Sequence, residues 1–286
     1  MLKNQIKTFL LLALLTALLL GAGQLIGGRS GLIIGMFFAL AINFFSYWYG
    51  DKIVLAMYKA KEAPRERYPA LHKDVEEICK SADIAKPKIY LLPVQASNAF
   101  ATGRSPSHSS IAVTEGILKQ LSRQEFKGVL AHEVSHIKNR DILIATVAAT
   151  IAGFISYLAF VARYAAIFGG RGGGGSRDDE RGNIIGLLAL AILAPIAALL
   201  IQLAISRSRE YIADERGARM LNDPIPLANA LLKIDKAAKE RPLHCGNEAT
   251  AHLFIVNPFS AGGFARLFST HPPIESRIKR LRELKL

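Results

Sequence analysis

Four long apolar blocks constrain this 286-residue chain more than any other feature of its sequence. A helix needs roughly 20 mainly apolar residues to cross a bilayer, and each block is close to that length. Apolar residues grouped in this way predict a membrane protein rather than one soluble domain. The blocks occupy about residues 8–27, 31–49, 142–162 and 184–205.

The blocks form two pairs, and the connections within the pairs differ. Gly28-Arg29-Ser30 joins the first pair closely enough to predict a tight helical hairpin. Residues 169–183 join the second pair with a glycine run and mixed charges, which predicts a flexible, solvated linker. A signal peptide is an alternative for the first block, but the apolar run continues to about Ile26 and no small-residue cleavage site follows. We therefore predict an uncleaved first span.

The distribution of basic residues predicts the orientation in the membrane. The formal net charge is +13. Lysines and arginines flank the outer ends of both pairs of blocks. The connections within the pairs have a lower excess of basic residues: the first carries only Arg29, and the three arginines of the second are offset by three acids. By the positive-inside rule, this is a multi-pass protein of the cell (inner, cytoplasmic) membrane with both termini and residues 50–141 in the cytoplasm. No basic stretch is interleaved with aromatic residues, so we predict no nucleic-acid partner.

The fold class predicted from these patterns is a mainly α membrane protein with four transmembrane helices and a cytoplasmic domain that contains a small β-sheet. The predicted segments are an N-terminal transmembrane hairpin (1–49), a first cytoplasmic part (50–141), a second transmembrane hairpin (142–205) and a second cytoplasmic part (206–286). Helices are predicted at 69–82, 206–221, 225–239 and 272–285, and strands at 88–92, 98–103 and 110–114. A further helix starts at a capping box of Ser122 and Glu125, and we predict that it continues through Asp141 into the third span.

The motif H-E-x-x-H runs from His132 to His136 on this capped helix. Positions i and i+4 share one face of a helix, so both imidazoles can bind one metal ion. Glu133, one residue after the first histidine, can take a proton from a water molecule that the metal polarises. The structural alternative is two histidines beside a salt-bridged glutamate. The polar surroundings of the motif argue against histidines that only fill a core.

A catalytic zinc ion has three protein ligands and one open position, so a third ligand is required. The residues after His136 lack the glycine and histidine of the extended motif H-E-x-x-H-x-x-G-x-x-H. Glu210 and Asp214 lie one helical turn apart after the fourth span, and two membrane crossings return them to the side of His136. We predict that Glu210 is the third ligand of one Zn2+ ion per chain. Asp214 is predicted to accept the distal N–H of a ligand histidine.

Four segments resemble the HtpX family of membrane zinc metalloproteases, which are related to the CAAX prenyl endopeptidases. The segments are 98–103, 132–141, 206–214 and 269–277, and the resemblance extends over essentially the whole chain. It implies a gluzincin-type catalytic domain at the cytoplasmic face. It also implies a role in quality control, in which misfolded or damaged membrane proteins are cleaved.

The resemblance also implies roles for individual residues. His132, His136 and Glu210 match the family's zinc ligands, Glu133 its catalytic glutamate and Asp214 the acid behind a ligand. The residue pattern alone leaves the donor to the tetrahedral oxyanion open among Tyr211, His252, His271 and several arginines. The resemblance implies His271 and Arg277 for this task. It further implies that an edge strand pairs with extended substrate by β-augmentation, through Asn98, Ala99, Phe100 and Ala101.

Three other functions fit parts of the pattern. An intramembrane protease carries H-E-x-x-H inside an apolar span, whereas polar residues surround it here. A non-enzymatic membrane protein that binds or transports metal ions has ionisable residues at the bilayer midplane, and the four blocks have almost none. A scaffold that only binds misfolded chains has no need of Glu133. The prediction is a zinc metalloendopeptidase whose partners are misfolded membrane proteins and the lipid bilayer, and no pattern sets its oligomeric state.

Overall fold

A computed structural model of the protein describes residues 2–152, 207–240, 242, 248–257 and 272–286. The predicted fourth span, the 169–183 linker, residues 153–162 of the predicted third span and His271 lie outside these ranges. In chain order the elements are α1 (Leu2–Met57), β1 (Lys61–Glu62), α2 (Pro69–Ala82), β2 (Lys88–Leu92), β3 (Ala99–Ser105), β4 (His108–Thr114), α3 (Glu115–Gln120), α4 (Arg123–Lys138), α5 (Asp141–Ala152), α6 (Arg207–Leu221), α7 (Ile225–Glu240), a 3-10 turn (Glu248–Leu253) and α8 (Ile274–Glu283).

Helix α1 consists of two arms that fold back on each other. Gly27 and Gly28 leave the helical conformation, and Gly28 has a φ of 56°, which favours glycine. Across the arms, Asn43 donates a hydrogen bond to Oγ1 of Thr16 at 2.9 Å. A Cβ placed on Gly23 would lie 2.2 Å from the Gly31 carbonyl oxygen, so the backbones approach closely beside the turn. The chain thus reverses where the sequence predicts a hairpin tip.

The second arm of α1 has the surface of a membrane span. Gly27–Met57 is long and apolar enough to cross a bilayer, and no other helix in the described ranges passes that test. Its apolar side chains point outward, with Phe37 70% and Leu40 63% exposed. So large an exposed apolar surface suits lipid better than water. The first arm contains a shorter apolar helix, Gln5–Gly21.

Helix α5 packs against both arms of α1. Leu11 and Leu15 of the first arm form a buried cluster with Val147 and its neighbours on α5. In the second arm, a Cβ on Gly50 would lie 2.9 Å from Cγ2 of Thr146. The start of the predicted third span is therefore held against the N-terminal hairpin.

Helix α4 does not continue into α5, contrary to the sequence-based prediction. It ends at Lys138 with Asn139 as its C-cap, and Arg140 has a φ of 58°. A residue in the left-handed backbone conformation cannot extend an α-helix. For a residue other than glycine this conformation costs about 1–2 kcal/mol. No glycine or proline marks this break in the sequence. The turn lets Asp141, the first residue of α5, face back toward α4.

Helix α4 is the central helix of the part of the molecule that follows α1. The predicted capping box is confirmed: Glu125 accepts the Ser122 backbone N–H at 2.8 Å, and the Ser122 hydroxyl accepts the Glu125 N–H. Helices α2, α6 and α7 and strand β3 all contact α4. The helix is therefore buried on most sides, and Val129 and Leu130 are 0% exposed. Polar groups in such a helix need partners from the surrounding elements.

A small mixed sheet packs beside α4. Its strand order is β1-β2-β4-β3, with β2 and β4 parallel and the other pairs antiparallel. Strand β2 has the predicted bounds, whereas the β3–β4 hairpin is longer at its tip than the sequence indicates. Within the described ranges β3 lies at an edge of the sheet, next to α4.

Candidate active site

Helix α6 approaches α4 closely because a glycine faces the contact. A Cβ on Gly217 would lie 2.9 Å from the His132 backbone nitrogen and 3.1 Å from the Ala131 carbonyl carbon. Glu210, Asp214 and Gly217 follow the spacing i, i+4 and i+7, which places all three on one face of α6. The face that makes the close contact therefore also directs two carboxylates toward α4.

We expect Gly217→Ala to push α6 away from α4 and to weaken the site. The added methyl group meets backbone atoms, which cannot rotate aside. Overpacking of this kind costs about 1–3 kcal/mol, and the displacement carries Glu210 away from the histidines. Thermal unfolding and the metal content of the purified protein measure the two effects. Gly21→Ala is the control, because a Cβ there has no neighbour within 4 Å. Unchanged stability and metal content in Gly217→Ala would contradict the prediction.

Three side chains converge on one point between α4 and α6. Nε2 of His136 lies 3.1 Å from Nε2 of His132. The carboxylate of Glu210 lies 3.7 Å from Nε2 of His132 and 3.6 Å from Nε2 of His136. Ligands about 2.0–2.1 Å from a tetrahedral zinc ion are about 3.3 Å apart, close to these separations. The donor set thus fits a single metal ion, and it is the set predicted from the sequence.

Asp214 connects His132 to a buried arginine. Oδ1 of Asp214 lies 2.9 Å from Nδ1 of His132. Arg277, 0% exposed, donates to both carboxylate oxygens at 2.7 and 2.8 Å. Burial by itself would raise the pKa of Asp214, but the charge and hydrogen bonds of Arg277, with those of His132, lower it to about 2. A carboxylate at Nδ1 favours the tautomer whose Nε2 lone pair faces the metal position.

Asp141 supports His136 in the same way, and sequence reasoning misses it. Nδ1 of His136 lies 3.1 Å from Oδ2 of Asp141, and Arg209 lies 3.9 Å from the other oxygen. On one continuous helix, a residue five positions later points about 140° away, so Asp141 has no reason to meet His136. The left-handed turn at Arg140 removes that obstacle. The sequence does show an acid, Asp141, just after the H-E-x-x-H motif. It predicts a contact with His136 only if the helix is known to end before Asp141.

Glu133 lies beside the cluster without being one of its converging donors. It is 2% exposed. Burial raises the pKa of Glu133 to about 7; the charge of Glu210 adds to this, while His136, the Ala101 backbone N–H and Arg277 oppose it. A general base is most effective when its pKa is near the working pH. Glu133 therefore has the position and the acidity of a proton acceptor.

In the metal-free site, the two histidines hold protons with different affinities. Burial lowers the pKa of His132 to about 4. Burial also acts on His136, but the hydrogen bond with Asp141 and the charge of Glu210 overcome it and raise its pKa to about 9. A histidine must be neutral to bind a metal. Metal binding near pH 7 therefore displaces a proton from His136, and the affinity falls as the pH is lowered.

A cavity of about 50 Å³ opens beside the cluster. Its polar lining consists of the clustered side chains together with Asp141, Arg209 and His252, and the remaining lining residues are apolar. This combination of an apolar lining with a few convergent polar groups is typical of substrate sites. The apolar lining residues come from β3, α5 and the segment after α7: Ala101, Ile142, Ala145, Leu253, Phe254 and Ile255.

The outer edge of β3 already has hydrogen-bond partners. The Ala99 carbonyl accepts the Ile255 backbone N–H at 3.2 Å. At the other end, the Gly103 N–H donates to Oγ1 of Thr146 at 3.1 Å. An extended substrate can add to this edge only where such bonds are released. The substrate-binding role of Asn98 to Ala101 therefore stays a prediction.

All four residues of that stretch are buried, and the two larger side chains have defined partners. Phe100 is 0% exposed and packs against the rings of Tyr58 and Phe254, with centroids 5.9 and 5.2 Å away. Asn98 donates to the Val256 carbonyl at 2.6 Å. The backbone of Asn98 is bonded to Thr114 of β4, so at the outer edge the backbone groups that remain for a peptide are those of Ala99 and Ala101.

Of the residues predicted to donate to the oxyanion, the structure describes Arg277 but not His271. His271 lies outside the described ranges, so its role stays a prediction. Arg277 does not line the cavity; its guanidinium contacts Asp214, donates to the Ile255 carbonyl at 2.9 Å and lies 3.6 Å from Glu210. Its direct contact with a reacting carbonyl likewise stays a prediction. Of the donors left open, His252 lines the cavity, and Nε2 of its ring lies 3.2 Å from the Ala145 carbonyl.

A buried H-E-x-x-H pair, a third carboxylate on a neighbouring helix and a proton acceptor beside them define a class, the metal-dependent peptidases. Comparison with known proteins agrees with that assignment. The chain belongs to peptidase family M48, whose family model matches residues 65–285. The HtpX resemblance drawn from the sequence is confirmed by the relatives described next, and the protein is a membrane metalloprotease.

Three relatives illustrate the similarity. The "Protease HtpX homolog" of Pyrococcus furiosus is 54% identical over 281 residues, covering 98% of this chain and 96% of that protein. The corresponding proteins of Pyrococcus abyssi and Syntrophotalea carbinolica are 55% and 52% identical over 283 and 281 residues, covering 98% of this chain and 96% and 99% of theirs. The fold is similar to the crystal structure of S. mikatae Ste24p, with a TM-score of 0.50 and 18% identity, covering 98% of this chain and 66% of that one.

Proposed function

We propose that the protein is a zinc metalloendopeptidase that hydrolyses peptide bonds of misfolded or damaged membrane proteins at the cytoplasmic face of the cell membrane. The observation that carries this proposal is the convergence of His132, His136 and Glu210, with Glu133 beside them. Two imidazoles and one carboxylate form the donor set of catalytic zinc sites that leave a position open for water. The protease name shared by the relatives supports the same reaction class.

The chain's own residues perform the proton transfers. Zinc, when bound, supplies Lewis-acid chemistry by polarising the scissile carbonyl and acidifying the attacking water. Glu133 takes a proton from that water and passes it to the leaving amine. A nearby cation lowers the raised pKa of this carboxyl, which favours its basic form. Asp214 and Asp141 orient His132 and His136 for ligation.

The proposed membrane topology brings the two halves of the site together. We propose four spans, with residues 50–141 and 206–286 on the cytoplasmic side. Helix α5 begins at Asp141, beside the site, and packs on both arms of α1, which supports a site at the membrane surface. Substrates that expose unfolded segments next to the bilayer then lie within reach.

Broad sequence preference follows from the proposed mode of substrate binding. An extended substrate pairs with the outer edge of the Asn98 to Ala101 stretch after Ile255 releases the Ala99 carbonyl and Glu133 releases the Ala101 N–H. Backbone pairing carries little side-chain information, which suits a protease for misfolded chains.

Metal removal tests the proposal. The protein is purified in detergent, stripped with a chelator and incubated with β-casein or an unfolded membrane protein, before and after zinc is restored. We expect stripping to lower cleavage by more than about 100-fold, because Lewis-acid catalysis contributes several kcal/mol, and zinc to restore it. Unchanged cleavage in the stripped protein would exclude a metallopeptidase. Bound zinc without cleavage of either substrate would favour the non-enzymatic metal-binding or transport alternative.

A further inference from the structure

A second, polar cleft lies at the open end of the α1 hairpin. Its volume is about 130 Å³, well above the roughly 10–15 Å³ that one water molecule requires. Both arms of α1, the end of β3, the α4–α5 turn and α5 form its walls. The polar and charged lining residues are Gln5, Thr8, Tyr47, Arg104, Ser105 and Arg140.

The cleft is positively charged. Arg104 and Arg140 line it, and none of its lining residues is an aspartate or a glutamate. Among the described residues, neither arginine forms an ion pair with an acid. Nε of Arg140 is buried without a hydrogen-bond partner among the described residues. A buried N–H donor of a cation without an acceptor is unfavourable. An anion bound in the cleft beside the guanidinium would offset this buried positive charge. The left-handed backbone at Arg140, with a φ of 58°, is a second strained feature at the same place.

The surroundings of the cleft resemble a membrane–water interface. The Arg104 guanidinium lies 4.3 Å from the centre of the Trp48 ring. Trp48 and Tyr47 are 49% and 38% exposed near the end of the apolar second arm. Exposed aromatic residues at the end of a span lie at the level of the lipid headgroups. The phosphate group of a lipid is the anion most concentrated at that depth.

We propose that this cleft binds the phosphate group of an anionic membrane lipid. Arg104 and Arg140 donate from two sides, and the planar guanidinium groups match the geometry of phosphate oxygens. Stacking on Trp48 holds Arg104 in place. The bound lipid would connect the hairpin to the turn that precedes Asp141. The inference rests on the membrane placement proposed above and is independent of peptidase activity.

Lipid titration of the purified full-length protein tests the site. Phosphatidylglycerol is added to the protein in a neutral detergent, and both the melting temperature and the lipid retained in native mass spectra are measured. We expect a saturable rise in the melting temperature. Replacing Arg104 and Arg140 together by glutamine should weaken binding roughly 25-fold, or fivefold for each arginine. The control is Arg67→Gln, an exposed arginine over the Tyr68 ring at 5.5 Å, which should bind as the wild type does.

Two further arms make the result decisive. Arg140→Gly suits the positive φ and should stay folded, yet it should lose roughly fivefold in affinity. Wild-type affinity in this variant and in the double glutamine variant would overturn the proposal. Inorganic phosphate is titrated in parallel, and an equal temperature rise at equal concentration would overturn the lipid as the source of the phosphate. Because no peptide is cleaved in these measurements, failure of the peptidase proposal leaves their outcome unaffected.

Discussion

Glu133→Gln is expected to lower the rate of β-casein cleavage by about 10²–10⁴-fold and to leave the bound metal unchanged. Glutamine has nearly the same shape as glutamate but cannot accept the proton of the attacking water. The donor atoms that converge belong to His132, His136 and Glu210, so the substitution removes none of them. In this variant the cleavage rate should therefore fall while the metal content stays at the wild-type level.

Initial cleavage rates and the zinc content of the purified protein provide the measurement. Glu215→Gln is the matched control, because Glu215 is exposed on α6 and pairs with Arg219 at 3.1 Å, away from the site. A variant that retained wild-type cleavage would exclude Glu133 as the base. Loss of both cleavage and metal would instead indicate that Glu133 is a ligand.

Arg277→Leu is expected to destabilise the protein by about 3–5 kcal/mol, or about 10 °C in Tm. The guanidinium is the partner of the buried Asp214 carboxylate, to which it donates two hydrogen bonds. Leucine leaves that charge buried and uncompensated, and it also leaves the Ile255 carbonyl without this donor. Metal affinity should fall as well, because Asp214 no longer holds His132 in one orientation.

The destabilisation by Arg277→Leu should depend on pH in a defined direction. In the wild type the pKa of Asp214 is lowered to about 2, so its contribution to stability is present above about pH 4 and is lost as the pH falls toward 2. In the variant, burial without the guanidinium raises this pKa, and protonation relieves the unpaired charge. The difference in stability between the two proteins should therefore shrink on acidification from pH 7 to pH 4.

Thermal unfolding in detergent, with a chelator present so that metal affinity does not contribute, measures this difference. Arg282→Leu is the control, since Arg282 is an exposed arginine on the same helix. A loss of stability equal to that of the control would contradict the role assigned to the Arg277–Asp214 pair. A pH-independent loss would mean that the cost comes from packing rather than from the buried charge.

The convergence of His132, His136 and Glu210 was predictable because most of its determinants are local. The four-residue spacing of His132 and His136 puts them on one helical face whatever surrounds the helix, and Ser122 and Glu125 set where that helix begins. Glu210 and Asp214 share a face for the same reason. The choice of Glu210 as third ligand needed only the count of membrane crossings and a general rule about zinc sites.

The sequence by itself determined the apolar segments, most of the described helices and the four residues His132, Glu133, His136 and Glu210 that meet in one site, because each depends on spacing along a few turns of chain or on the length of an apolar run. Only the tertiary structure decided what holds those residues. The left-handed turn at Arg140 brings Asp141 to His136 and places Arg140 in the lining of the cationic cleft, although no glycine or proline marks this turn in the sequence. Arg277 reaches Asp214 across 63 positions, and Ile255 occupies the edge of β3. Contacts of this kind arise from packing between distant segments, which no local periodicity encodes.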